Sequence, residues 1–340
     1  MRVLIIGGTN FIGPPVVAAL HRAGHEVTVY HRGHHEPDLP SAVRHVHSPR
    51  AGIPVLHFPS ALTDPPPEVV LHMFPVGEDD TRAALARFSG VARRLVAISS
   101  GDVYLAYGRL LGTEIGPPEP VPLGESAALR SKLYPYRHTA AGPADWTFHY
   151  EKILVERAVL SQSAPAGTVL RLPAVYGPGD PYRRLRPYIK RMDDGRPAIL
   201  LESAQMLWRW THGYVENVAQ AIALAVADDR TTGQVYNVGE RETPPMGERV
   251  REIGAMMGWK GSVIAMDPER LPAHLRAPFQ PSQDLVLDTR KLREELGFSE
   301  PVAPGDALRQ TVEWERVNPP AAGDPGAAEY AMEDAAIGRP

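Results

Sequence analysis

Ile5-Ile6-Gly7-Gly8-Thr9-Asn10-Phe11-Ile12-Gly13 is the stretch from which the fold can be read. It completes a short apolar run, Val3 to Ile6, of the kind that fills a parallel strand covered on both faces. It also opens a segment with helical spacing, Phe11 to Ala23, which Gly24 ends as a C-terminal cap. Gly7 and Gly8 permit a tight turn and let backbone N–H groups approach an anion such as a pyrophosphate. Gly13 lets the helix pack closely on the sheet, and the helix N-terminus favours negative charge. A strand, a glycine turn and a helix in this order point to dinucleotide binding.

Working outward, the N-terminal half alternates strand and helix signals. Strands are expected at Glu26–Tyr30, Val69–Phe74, Leu95–Ile98 and Thr168–Leu172, with a further one at Val43–His47. Helices are expected over 79–88 and 148–161. The alternation predicts a Rossmann-type doubly wound parallel α/β sheet with a smaller C-terminal substrate-binding lobe. The dinucleotide-binding part is expected over 1–172, with a return segment near 213–238, and the lobe mainly over 173–317. Residues 318–340 are Pro, Ala, Gly and acid with little apolar bulk, and are expected to form a disordered tail.

The composition is that of a globular chain: 340 residues, 43% hydrophobic and 22% charged, with a net charge of −4. That balance makes nucleic acid an unfavoured partner. No Cys is present, which excludes disulfides and thiol chemistry and suits a reducing compartment. No apolar run is long enough for a membrane span or a signal-peptide core, so the chain is read as cytoplasmic and soluble. Most of the 13 histidines lie before Met73. His31, His34 and His35 share one loop, and His45 and His47 can share one strand face. With no Cys and no expected helix carrying two histidines, no metal site is expected.

The chain resembles the extended short-chain dehydrogenase/reductases, the NAD-dependent epimerase/dehydratase family, whose loop reads TGGxGFIG. Gly7 and Gly13 match the outer glycines. Asn10 replaces the middle one and is the non-glycine residue type that best tolerates a positive φ. Further blocks follow in family order: Ser99-Ser100-Gly101-Asp102-Val103-Tyr104 for SSxxVY, Lys152 and Glu156 for KxxxE, and Arg171 to Gly179 for RxxNVYGPG. Tyr214 to Ala219 stands for YVxDVA, Tyr236 to Gly239 for a late strand, and Asp288 to Phe298 for DxxKxxxELGF.

This resemblance implies a nicotinamide dinucleotide on Gly7, Thr9, Asn10, Phe11, Ile12 and Gly13, with Lys152 and Pro173 at its nicotinamide end. NAD-binding members carry an acid at the end of the second strand. Here that strand ends His31-Arg32, so Arg32, assisted by His31, would favour a 2′-phosphate and NADP(H) over NAD(H). The family's Tyr lies four residues before its Lys; the Lys lowers the Tyr pKa and the Tyr exchanges the substrate proton. Ser100 matches the residue that orients the substrate oxygen, but the position four before Lys152 is Phe148.

Three arrangements are open. Tyr150 enters the site because the helix starts late or irregularly, although two residues on a regular helix turn it about 200° away from Lys152. Alternatively, Asp102, in the place of the dehydratases' acidic residue, supplies the proton, with His149, Tyr134 and Tyr136 behind it. In the third, the protein binds cofactor without hydride chemistry, as a redox sensor or as a relative of the chloroplast stem-loop RNA-binding proteins built on this fold.

The substrate implied by the resemblance is a small sugar-like molecule, a nucleotide sugar among the candidates, touching Tyr104, Ala174 and Arg209. Ala174 replaces the Asn that nucleotide-sugar enzymes often use. Arg183, Arg184, Arg186, Lys190 and Arg191 form a basic run that reads as a solvated helix face or a phosphate clamp. Trp208 and Trp210 read as packing or as a stacking platform. The expected activity is that of an epimerase, dehydratase or reductase, in a homodimer packed through the helices at 79–88 and 148–161.

Overall fold

A computed structural model of the protein describes residues 1–49 and 52–338. Seven parallel strands form the central sheet: β1 (Arg2–Ile6), β2 (Glu26–His31), β3 (Arg44–His47), β4 (Val69–His72), β5 (Arg94–Ser100), β6 (Ala166–Leu172) and, much later in the chain, β10 (Val235–Asn237). Their spatial order is β3-β2-β1-β4-β5-β6-β10, so the order reverses between β1 and β4, where a crevice opens at the strands' carboxyl ends.

Alternation along β1 divides the core into two layers. Val3 and Ile5 face α1 (Gly13–Arg22) through Val16, Val17 and Leu20. Leu4 and Ile6 face the opposite layer, which holds Leu85 and Phe88 of α2 (Glu78–Phe88). Each such side chain, once fully buried, stabilises the fold by about 1.5–3 kcal/mol. After β5 the chain makes α3 (Leu105–Leu110), then two short helices where one was expected: α4 (Trp146–His149) and α5 (Lys152–Leu160).

Two parallel strand pairs build the lobe, β7 (Ala174–Tyr176) with β9 (His212–Tyr214), and β8 (Ala198–Glu202) with β11 (Ser262–Met266). Helices α7 (Ser203–Leu207) and α9 (Met246–Met257) pack on the second pair, α6 (Arg186–Asp193) packs on α9, and α8 (Val215–Ala227) packs on α1. The remaining helices are α10 (Arg290–Leu296), α11 (Pro304–Val317) and α12 (Ala327–Ala336). No helix among the described residues is long and apolar enough to cross a membrane.

The tail expected to be disordered instead carries α12. The reason is electrostatic as much as apolar. Glu333, 2% exposed, pairs with the buried Arg191 of α6 at 2.6 Å and with His274 at 3.0 Å, and Asp324 pairs with Arg186. Composition alone cannot register a partner more than a hundred residues away. Glu333→Ala would leave the Arg191 guanidinium buried without its counter-charge, so a loss of about 3 kcal/mol in urea-unfolding stability is expected. An unchanged unfolding midpoint would refute the anchoring role.

Candidate active site

The first element of the site is the turn after β1. Gly7 and Gly8 take φ values of +88° and +86°, and a Cβ on Gly13 would sit 2.3 Å from the backbone of Gly8. Helix α1 therefore starts in contact with the turn itself. Pro14 and Pro15 contribute no N–H, and the Gly13 amide is held by Asn10 O at 2.9 Å. The amides of Phe11 and Ile12 make no backbone hydrogen bond among the described residues and form the open end of the cradle. The left-handed residue is not Asn10 as expected but Phe11, at φ +42°. The turn tightens one residue later than the motif suggests, and Asn10 remains exposed.

The second element is the break between α4 and α5. Asp145 caps α4 by accepting from the Thr147 amide at 3.0 Å. Glu151, in extended conformation, caps α5 by accepting from Ile153 at 2.9 Å. Tyr150 thus precedes the helix that begins at Lys152, and the 200° argument from a regular helix fails. Residues 75–77 clamp the break: Glu151 N–H donates to Val76 O at 2.9 Å, and a Cβ on Gly77 would lie 2.6 Å from His149 O. Phe148 instead packs under the Arg137 guanidinium, 4.7 Å from its ring centroid.

Tyr150 Oη donates to Asp102 Oδ2 at 2.8 Å and is also hydrogen-bonded to the Ser100 hydroxyl. Tyr136 donates to the same Asp102 oxygen at 3.2 Å, and Tyr107 lies 2.8 Å from Tyr136. Asp102 Oδ1 is buried with no partner among the described residues. Lys152 Nζ donates to Pro75 O and Ile98 O and sits 5.3 Å from the Tyr150 ring centroid. Tyr150 and Asp102, rival proton carriers in the sequence reading, are therefore bonded to each other.

Burial raises the Asp102 carboxyl above its ordinary value, while the nearby Arg130 opposes the shift. Burial lowers Lys152 to about 8. Burial and then the Asp102 charge push Tyr150 well above 10.0, so the low Tyr pKa implied by the resemblance is not found here. A phenol already donating to a carboxylate holds its proton more tightly.

Asp102 and the tyrosines bonded around it line a cavity of about 630 Å³ at the carboxyl end of β5. Ser100, Asp102, Tyr150, Pro173 and Ala174 all border it, with Phe74, Trp146 and Trp210 as aromatic walls. Lys152 lies behind Tyr150 rather than on the wall. Tyr107, Phe74 and Trp146 were absent from the sequence reading because nothing in their local pattern separates them from core aromatics.

Two expected substrate contacts are corrected. Tyr104 is fully buried, with its hydroxyl between Asn237 Oδ1 at 2.7 Å and Arg171 at 2.9 Å. Arg209 is tied to Asp284 at 2.7 Å, and its neighbour Trp210 takes the cavity position. The motif residues Glu156 and Arg171 form a buried pair at 2.7 Å that Ser99 also joins, which is a supporting role.

The basic run is spent on internal pairs: Arg183 with Glu315, Arg184 with Asp180, Arg186 with Asp324, Lys190 with Asp194 and Arg191 with Glu333. Trp208 is core, its ring centroid 4.5 Å from that of Phe279 with the planes tilted by 41°. At the end of β2, Arg32 is exposed, but His31 is not free to assist it. The His31 ring is buried, with Nε2 3.0 Å from His45 Nδ1.

Comparison with known proteins agrees with this architecture. Residues 83–239 match the model of the NAD dependent epimerase/dehydratase family. An uncharacterized protein of Sinorhizobium fredii, y4nL, is 24% identical over 53% of this chain, and the match spans 57% of that protein. The 2'-dehydrokanamycin reductase of Streptomyces kanamyceticus is 26% identical over 89% of this chain and 79% of its own length. The UDP-N-acetyl-alpha-D-glucosaminuronate decarboxylase of Bacillus cytotoxicus is 23% identical over 93% and 98%. Among solved structures, TunA, an NAD dependent NDP-hexosamine 5,6-dehydratase, superposes with a TM-score of 0.66 at 21% identity, covering 94% of this chain and 98% of that one. The parallel sheet and the order of its strands are thus the fold of that solved structure, and residues 83–239 resemble the NAD dependent epimerase/dehydratase family.

Proposed function

We propose that the protein is an NAD-dependent oxidoreductase, of epimerase, dehydratase or reductase type, acting on a hydroxyl or ketone of a sugar-like substrate. One observation carries the reading: the hydrogen-bonded Ser100, Asp102 and Tyr150, backed by Lys152, border a cavity beyond the glycine turn. The residues fit the coenzyme, since the turn leaves no room for a Cβ at Gly13 and keeps two amides open. When bound, the nicotinamide supplies the hydride chemistry.

This chain's residues supply the proton. Ser100 and Tyr150 hold the substrate oxygen. In oxidation Tyr150 takes the hydroxyl proton while passing its own to Asp102 Oδ2, and in reduction the transfers reverse. Because the phenol never has to stand as a free anion, its high pKa is no obstacle. The aromatic walls and the buried Asp102 keep the site dry, which strengthens each of these contacts. The RNA-binding alternative loses its support because the basic run is internally paired and the net charge is −4.

At the end of β2 we favour NAD(H) over the NADP(H) suggested by Arg32. His31 is buried with Nε2 3.0 Å from His45 Nδ1, so it does not turn outward to help Arg32 hold a 2′-phosphate. Calorimetry is expected to give NADH binding at least as tight as NADPH. Tighter NADPH binding that Arg32→Ala abolishes would restore the other assignment. Mass spectrometry of co-purifying nucleotide and a screen of nucleotide sugars and unactivated sugar ketones, read by nicotinamide absorbance, test the activity. No turnover or coenzyme binding would overturn it.

A further inference from the structure

We propose that His31, Glu36, His45 and His47 form a site for one divalent transition-metal ion, zinc by the chemistry of its donors. The parallel register sets His47 directly beside His31, and His45, two residues earlier on β3, shares its face. The loop after β2 returns Glu36 to the same point. The ligand atoms of all four lie within 4.8 Å of one another. Four of the distances are shorter: 3.0 Å from His31 Nε2 to His45 Nδ1, 2.8 Å from Glu36 to His47, 3.6 Å from Glu36 to His45 and 3.9 Å from Glu36 to His31. A tetrahedral zinc with ligands at about 2.0–2.1 Å needs donors about 3.3 Å apart, within reach of small side-chain rotations.

Three imidazoles and a carboxylate make a closed four-donor set of the structural type. Its charge also selects a cation. An anion would meet the Glu36 carboxylate at the centre of the group, and Arg44 points away, to Asp64 O and Ala61 O. Loading replaces the His31–His45 and Glu36–His47 hydrogen bonds with bonds to the ion, and it costs the 3.3 Å contact from the Gly33 amide to His31 Nδ1, since the ring must then be protonated at that nitrogen. Spacing along the chain hides the set, because its members come from two strands and a loop. A bound ion would rivet the edge strand β3 and the 32–43 loop to β2.

The test uses the full chain with any affinity tag removed, stripped with chelator and desalted. Titration with Co²⁺ should give one equivalent of a tetrahedral visible spectrum, displaced by one equivalent of Zn²⁺. Half-exposed Glu36 and His47 can be changed without disturbing the core, and Glu36→Gln or His47→Ala should weaken binding by about 100-fold. His34→Ala and His35→Ala, in the same loop, should leave it unchanged. Circular dichroism checks that each variant is folded. Sub-stoichiometric binding, an octahedral cobalt spectrum, or equal affinity in His47→Ala would overturn the proposal.

Discussion

Tyr150→Phe is expected to lower kcat by about 10²–10⁴-fold with coenzyme binding unchanged, the range lost when a positioned proton donor is removed. The substitution deletes only the hydroxyl that bonds Asp102 at 2.8 Å, and the ring remains to fill its place. Phe148→Tyr, by contrast, should alter the rate little, because that side chain lies against Arg137 and not in the cavity. Asp102→Asn should also be severely impaired, since an amide cannot receive the relayed proton; retained turnover there would remove Asp102 from the mechanism.

The pH profile of oxidation follows from the same groups. Asp102 must be ionised to accept, and its pKa is raised, so activity falls with acid at a pH above the ordinary carboxylate range. Lys152 is charged only below about 8, so whatever its ammonium contributes fades as pH rises through that value. A kcat that Tyr150→Phe leaves within a factor of about two would sink the proton-transfer assignment.

The second large effect is expected at Gly13. Alanine there would place its Cβ 2.3–2.4 Å from the backbone of Gly8, and a main-chain neighbour cannot rotate aside. Either the helix backs away from the turn or the turn opens, and both spoil the cradle. Forced overpacking costs about 1–3 kcal/mol, so NADH affinity should fall by about 100-fold. Calorimetry measures this directly, and thermal unfolding reports whether the fold survives. Unchanged affinity in a folded Gly13→Ala would mean that the diphosphate does not sit at this turn.

Much of the fold was legible because it is written locally. The apolar run Val3 to Ile6, the glycines and the caps each state their conformation within a few residues, and the parallel sheet follows from their alternation. The blocks that carry the resemblance also lie in order, and two of them meet in the buried pair of Glu156 with Arg171. What could not be read depended on partners distant in sequence. Glu333 finds Arg191, Tyr104 finds Asn237 and Arg209 finds Asp284 only once the chain is folded. The break at Tyr150 left no signal of its own, because Glu151 is an uncommon capping residue and the clamp on it comes from residues 75–77.

That break has a consequence for how such proteins are recognised. A search demanding a phenol four places ahead of the amine would set this chain aside as a dead enzyme. The interruption between the two helical turns shortens the separation to two and still sets the Tyr150 ring 5.3 Å from Lys152 Nζ, with its hydroxyl on Asp102. Homologues discarded for the same missing letter are worth re-inspecting for an acid near the end of the fifth strand and an aromatic hydroxyl just before the lysine.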